Sequence, residues 1–292
     1  MSNSNVRIGV IGGSGLYSMD GLTILREETI ETPFGQPSAP YVIGKLDNAD
    51  VEIAFLPRHG RGHPLSPSEV PYRANIFGMK LLGVEWIISV SAVGSLQAEI
   101  APGEVVLVDQ FIDRTKNRDS SFFGRGLVAH IAFGDPVCET LRQYLLSATQ
   151  ESGHAHHDRG TYVCMEGPAF STRAESNLYR SWGAKVIGMT NIPEAKLARE
   201  AEISYATLAM ATDYDCWHEG HDDVTVEQVI AVLKANSSRS QEIIKLAVPK
   251  IAAHEGPCPQ SSVLQHALIT NKDSIDPAKA KMLAPIVGKY LL

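Results

Sequence analysis

Short apolar runs alternate along the chain with amphipathic stretches. Val6–Ile11, Val51–Leu56, Glu85–Val90, Val105–Val108, Gly160–Cys164, Ala184–Ile187 and Ile203–Met210 are rich in aliphatic and β-branched residues. Runs this short, more continuous than alternating, predict strands, many of them buried. Ser66-Pro67-Ser68-Glu69 has the spacing of a capping box with proline at the first helical position, and predicts a helix running to about Leu82. Pro136 to about Glu151, Thr172–Trp182 and Pro193–Glu200 are further predicted helices. Thr225-Val226-Glu227-Gln228 is a second capping box. It opens a long helix with Val226, Val229, Ile230 and Leu233 at helical spacing.

This alternation predicts an α/β fold with a central sheet covered by helices, and the length allows one large domain or two small ones. Neither an internal repeat nor a composition break marks a linker. After Gly256-Pro257 the pattern weakens, so about 257–292 reads as a C-terminal extension with a final helix near Pro277–Ile286.

Composition narrows the class. A hydrophobic share of 44% and a charged share of 20% over 292 residues suffice for a globular core. The net charge of −7 argues against a nucleic-acid binder, yet leaves room for a small anionic substrate held by local field. No apolar run approaches the ~18 residues of a membrane span. Residues 1–5 are polar and Val6–Ile11 contains Arg7, which reads as a strand and not as a signal peptide. Four cysteines without C-x-x-C spacing suggest reduced thiols and a cytoplasmic location. His154-Ala155-His156-His157 falls in an expected connecting loop, and no functional metal is expected there.

Candidate chemistry gathers where the strands end. Gly12-Gly13-Ser14-Gly15 after the first strand offers converging backbone N–H groups and a hydroxyl, but meets neither the dinucleotide fingerprint nor the P-loop. Pro57-Arg58-His59-Gly60-Arg61-Gly62-His63 supplies guanidinium groups that match phosphate bidentately and histidines as further donors, or else forms a solvated basic loop. Ser89–Ser95 ends a strand in small and hydroxyl residues that admit close approach of a ligand, or of a helix. Thr190 precedes a helix beginning near Pro193; an anion site and a plain N-cap by Thr190 or Asn191 are both open. Phe170 in a Gly-Pro turn is either a stacking ring or a core residue. Asp213 and Asp215 leave the end of an apolar strand together, a costly placement unless they are paired, used, or solvated in a turn. Together, anion donors, a ring and paired carboxylates at strand ends suit a nucleoside and a free phosphate.

These blocks carry a resemblance. IGGSGL, ETPFGQPS, RHGRGH, YRANIFGMK, PGEVVLVDQFIDRT, EGPAFSTRAES, MTNIPEAKLAREA and AMATDYDCW, spanning about Arg7–Trp217, resemble the 5′-methylthioadenosine phosphorylases of the trimeric purine nucleoside phosphorylase superfamily. The resemblance implies a single α/β domain over residues 1–292 with a central mixed sheet flanked by helices, phosphorolysis of 5′-methylthioadenosine to adenine and 5-methylthioribose 1-phosphate, a homotrimer, inorganic phosphate as co-substrate, and no metal or organic cofactor. It implies phosphate binding by Ser14, Arg58, His59, Ser91, Ala92 and Thr190. Met189 matches the residue under the ribose and Phe170 the ring on the base. Asp213, Tyr214 and Asp215 match the base-binding segment, with Asp213 as acid to purine N7 and Asp215 facing the 6-amino group. Ser171, Val226, Val229 and Ile230 match specificity positions, and His130 the residue that reaches a neighbouring subunit's site.

Ser14 and Ser91 stand where threonine is familiar, and Gly188 where asparagine is expected, which leaves one polar contact open. An aspartic acid titrates near 3.9, so an acid role for Asp213 requires burial, with the like charge of Asp215 as a further push. Rival readings are a 6-oxopurine nucleoside or methylthioinosine phosphorylase, a hydrolytic nucleosidase, and a nucleotide-binding interaction subunit without catalysis.

Overall fold

The computed structural model describes residues 6–218 and 226–291, with the side chains of 14 and 226–231 outside the description. The strands are β1 (Val6–Gly12), β2 (Leu22–Glu28), β3 (Tyr41–Leu46), β4 (Glu52–Pro57), β5 (Trp86–Ser95), β6 (Val105–Leu107), β7 (Gln110–Arg114), β8 (His156–His157), β9 (Thr161–Met165), β10 (Val186–Gly188) and β11 (Ser204–Asp213). They form one mixed sheet in the order β2-β3-β4-β1-β5-β10-β9-β7, with β11 pairing β5 and β6, and β8 pairing β6. The helices are α1 (Tyr72–Leu82), α2 (Glu139–Ser152), α3 (Arg173–Ser181), α4 (Asn191–Glu200), α5 (Val226–Ala252), α6 (Pro277–Met282) and α7 (Ala284–Leu291).

The apolar runs are explained by a sheet covered on both faces. Ile8, Val10, Ile53, Phe55, Trp86, Ile88, Leu208 and Met210 pack toward Leu141 and Leu145 of α2 and Ile244 and Val248 of α5. Their alternates Ile11, Ala54, Leu56, Ile87 and Ala209 pack with Ile76 and Phe77 of α1 and Ala195 and Ala198 of α4. The same second face takes up the tail, through Leu264, Leu283, Ile286 and Val287. The weakly patterned C-terminus therefore closes the core, and its last helix is split at Leu283.

One predicted helix starts later than expected. The Ser66–Glu69 capping contacts form, with Glu69 Oε2 accepting from Ser66 N–H at 2.9 Å and Ser66 Oγ at 2.6 Å. They close only a turn, and the helix begins at Tyr72. Pro71 disfavours helical backbone at Val70, so no continuous helix can run from 66 into α1. The predicted box at Thr225 lies outside the described residues. β2, β3, β7 and β8 add to the predicted strands. At the start of α3, where a helix is predicted from Thr172, Thr172 and Glu175 form a capping box that was not among the predicted ones.

The histidine cluster near β8 is engaged in pairs. His154 Nε2 lies 2.8 Å from Glu242, and His157 Nε2 lies 2.7 Å from Glu104.

Candidate active site

Parallel pairing aligns the ends of β1, β4, β5 and β11. Gly12 is in register with Pro57, Ile11 with Ser89, Ala209 with Ser91, and Asp213 with Gly94. β5 is central and paired on both sides, yet Ala92 within it is exposed. That break in an otherwise buried strand marks a cleft.

The anion end forms around Arg58, which is 3% exposed. Its Nε donates to Glu194 Oε2 at 2.7 Å, and Nη2 donates to Glu194 Oε1 at 3.0 Å and Ser89 Oγ at 2.7 Å. Nη1 donates to Val90 O at 3.0 Å. Burial opposes the charge, but Glu194 more than restores it and leaves the guanidinium above its ordinary pKa. The bidentate face expected to meet phosphate is thus taken by Glu194. Of the five guanidinium protons, one on Nη1 is left for a ligand. Arg61 turns outward to Glu27 at 2.6 Å, so the basic loop does not act as one cluster.

His59 departs from its expected donor role. Its Nδ1 lies 2.8 Å from Leu65 O. A carbonyl only accepts, so the proton sits on Nδ1 and Nε2 of the neutral ring is an acceptor. Burial first, and Arg58 beside it, push its pKa down to about 4, so the ring is neutral at pH 7. Such a nitrogen meets a protonated oxygen of an anion. His59, Gly12, Gly13, Pro57 and Gly60 line a cavity of about 160 Å³ between the ends of β1 and β4. Gly13 opens a 3-10 turn, Ser14–Tyr17, and nothing described lies within 4 Å of a Cβ added there. The Ser14 side chain lies outside the described residues.

Thr190 is buried, and neither alternative of a simple cap holds. It makes no side-chain cap hydrogen bond. Asn191 instead sends Nδ2 to Tyr205 Oη at 2.7 Å and Thr207 Oγ1 at 2.6 Å. Ser91 Oγ lies 3.2 Å from Tyr162 Oη. Met189 packs its sulfur against Gly167, and its carbonyl accepts from Arg118 Nη1 at 2.6 Å. Arg118 also holds Ile192 O at 2.9 Å and Glu166 O at 2.6 Å, which ties the Met189 segment to the Phe170 turn.

At the base end, a register shift between Ala211 and Asp213 turns the strand outward. Asp213 Oδ1 accepts from Asp215 N–H at 2.7 Å, and Oδ2 accepts from Thr212 Oγ1 at 2.6 Å. Asp215 adopts φ 51°, a left-handed conformation that aspartate tolerates better than most residues. A Cβ on Gly94 would stand 2.9 Å from Asp213 Oδ1, so the glycine of β5 makes room for the carboxylate. Burial raises the Asp213 pKa against the pull of the Thr212 hydroxyl and the Asp215 N–H. The like-charge push, expected on Asp213, falls instead on Asp215, which burial and then Asp213 raise. Asp215 Oδ2 is buried and no hydrogen bond of good geometry reaches it among the described residues, although the Ser176 hydroxyl lies near enough to pull the carboxyl's pKa down. A buried carboxylate oxygen without such a bond calls for a donor from a ligand.

Trp217 pins this segment, donating Nε1–H to Ser95 O at 2.8 Å beneath the Arg180 guanidinium, 3.6 Å from the ring centroid. Tyr214 stacks on His218 with ring centroids 4.7 Å apart. Ser171 is buried, and its carbonyl accepts from Cys216 Sγ at 3.3 Å. Phe170 is 58% exposed, so it is not a core residue and its ring faces open space. His130 is exposed, with its N–H bonded to Ala267 O at 2.9 Å. The side chains of Val226, Val229 and Ile230 lie outside the described residues.

Glu194, Tyr162, Arg118 and Trp217 were given no role in the sequence-derived site, and Ser89 entered it only as part of the Ser89–Ser95 strand end. Glu194 lay within the MTNIPEAK block, but only folding brings it to Arg58.

A sequence profile of the phosphorylase superfamily matches residues 7–249, and the chain belongs to that superfamily. It is 60% identical to the S-methyl-5′-thioadenosine phosphorylase of Geobacter sulfurreducens, over 97% of this chain and 99% of that one. A crystal structure of a methylthioadenosine phosphorylase from an antarctic soil metagenomic library superposes with TM-score 0.92 at 48% identity, over 97% of this chain and 99% of that one. A methylthioadenosine phosphorylase from Schistosoma mansoni in complex with adenine superposes with TM-score 0.81 at 36% identity, over 86% and 93%. Within the superfamily, the chain belongs to the family of the S-methyl-5′-thioadenosine phosphorylases.

Proposed function

We propose that the chain catalyses phosphorolysis of 5′-methylthioadenosine to adenine and 5-methylthioribose 1-phosphate. The observation that carries this reading is the Asp213–Asp215 pair, two half-buried carboxylates with raised pKa, one oxygen of which receives no hydrogen bond of good geometry among the described residues. In this reading Asp213, its pKa raised by burial, gives a proton to N7 of the departing purine, while Asp215 accepts from the 6-amino group. A 6-oxo purine would set an oxygen against Asp215.

Phosphate enters as co-substrate near Gly13, Arg58, His59, Ser91, Ala92 and Thr190. Because Glu194 neutralises Arg58, N–H and O–H dipoles do much of the holding, and the phosphate keeps negative charge to oppose the positive charge developing on the sugar. Fixing it beside C1′ makes the attack effectively intramolecular. No metal or organic cofactor has a step in this scheme. Met189 underlies the ribose and Phe170 covers the base, with Tyr214 and Ser171 beside it.

The enzyme acts as a cytoplasmic homotrimer in which His130 completes a neighbour's site. Support comes from the exposed His130 and its bracing from α4. Glu200 accepts from Ser121 and Phe122 N–H, and Arg199 donates to Ala132 O and Asp135 O, on either side of it. All four cysteines are free thiols. Among the described residues no helix is long and apolar enough to cross a membrane.

The test is adenine release from methylthioadenosine with and without inorganic phosphate, beside inosine and methylthioinosine. Phosphate-dependent release from methylthioadenosine is expected. Release without phosphate assigns a nucleosidase, and preference for the 6-oxo substrates assigns the rival phosphorylase.

A further inference from the structure

Tyr162 lies on β9, outside every segment assigned to the substrates, and is fully buried. Its ring packs edge-on against Phe111 with centroids 5.7 Å apart. Its hydroxyl fills the place of a missing side chain. A Cβ on Gly188 would stand 2.0 Å from Tyr162 Oη and 2.6 Å from Cζ. Gly188 thus carries no side chain because Tyr162 reaches across from the paired strand. The reaching oxygen ends 3.2 Å from Ser91 Oγ, the one hydrogen-bond partner recorded for it among the described residues.

We infer that Tyr162 is a positioning residue for phosphate, its hydroxyl orienting that of Ser91. The inference rests on the phosphorolytic reading above. The donor follows from what each group has beside it. Tyr162 Oη carries one proton, and Ser91 Oγ is the one acceptor recorded beside it among the described residues. With a lone pair occupied by Tyr162, Ser91 is free to turn its own proton toward the anion. The only other acceptor recorded for that hydroxyl among the described residues is Ala92 O at 3.5 Å, a weak competitor. The polar contact left open by glycine at 188 is thereby supplied from the neighbouring strand.

The experiment measures kcat and the KM for phosphate and for nucleoside in the parent, Tyr162→Phe, Ser91→Ala and the double variant. Loss of one oriented hydrogen bond predicts a phosphate KM raised roughly fivefold in Tyr162→Phe. The nucleoside KM moves less than twofold, and Tyr162→Phe adds nothing once Ser91 is alanine. A merely structural role moves both KM values together, or acts equally in the Ser91→Ala background; either result overturns the inference, as does an unchanged phosphate KM. A second pair of variants guards against misfolding of Tyr162→Phe. Tyr162→Leu vacates the space, and adding Gly188→Ser places a hydroxyl near the former Oη, so the double variant recovers phosphate KM relative to Tyr162→Leu. Failure to recover also overturns the inference. A parent that turns over without phosphate sinks the functional reading and this inference with it; a phosphate-dependent parent with an indifferent Tyr162→Phe sinks this inference alone.

Discussion

Arg58 Nε donates to Glu194 Oε2 at 2.7 Å, joining the end of β4 to α4 across 136 positions of sequence. Both side chains are almost wholly buried, 4% and 1% exposed. The pair therefore has two consequences: it holds the anion cradle together, and it removes the cation's net charge from it. Ser89 Oγ and Tyr205 Oη complete the carboxylate's partners at 2.8 and 2.9 Å.

Removing one partner of such a pair leaves a buried charge uncompensated. Glu194→Gln is expected to lower unfolding free energy by about 3–5 kcal/mol. Urea denaturation checks this. A loss below about 1 kcal/mol would show that the pair is relaxed or solvated.

Two glycines of the site respond oppositely to the same substitution. Gly188→Ala drives a methyl into Tyr162 and is expected to cost about 3 kcal/mol. Gly13 has ordinary backbone angles, φ −74° and ψ 156°, and lines the anion cavity. Gly13→Ala is expected to leave stability within about 0.5 kcal/mol while raising the phosphate KM. Thermal denaturation beside phosphate saturation curves separates the two effects, and an unstable Gly13→Ala contradicts the open cavity.

Glu200 carries a pH signature. Burial raises its pKa from 4.5 to about 7, against the hydrogen bonds from Ser121 and Phe122. The folded state therefore prefers the neutral acid. Its contribution to stability is complete below about pH 4.5 and is lost as pH rises through about 7. Glu200→Gln lacks this loss, so its stability relative to the parent should improve from pH 4.5 to 8, by up to about 3 kcal/mol. Denaturation at a series of pH values checks it; a difference independent of pH contradicts the burial argument.

The core strands were legible because a sheet covered on both faces needs long apolar runs, as in Ile203–Met210. β2 was not, since Leu22–Glu28 is largely exposed and carries Arg26, Glu27 and Glu28. β3 is buried but broken by Gly44, where a Cβ would meet Leu22. The start of α1 was misplaced because a capping box specifies a turn, and Pro71 decides whether a helix follows. Strand-end motifs exposed Arg58, Ser91, Thr190 and the aspartate pair. They could not expose Glu194 or Tyr162, whose roles depend on partners 136 and 71 positions away. Nor could they show that Glu194 occupies the bidentate face of Arg58, or that Leu65 fixes the tautomer of His59.

Whether a protonated Asp213 receives the departing purine is decided by the turnover of Asp213→Asn on methylthioadenosine at saturating phosphate. Its kcat is expected to fall by roughly 10²–10⁴ with phosphate binding retained. A variant that turns over at the parent's rate would contradict the acid role of Asp213.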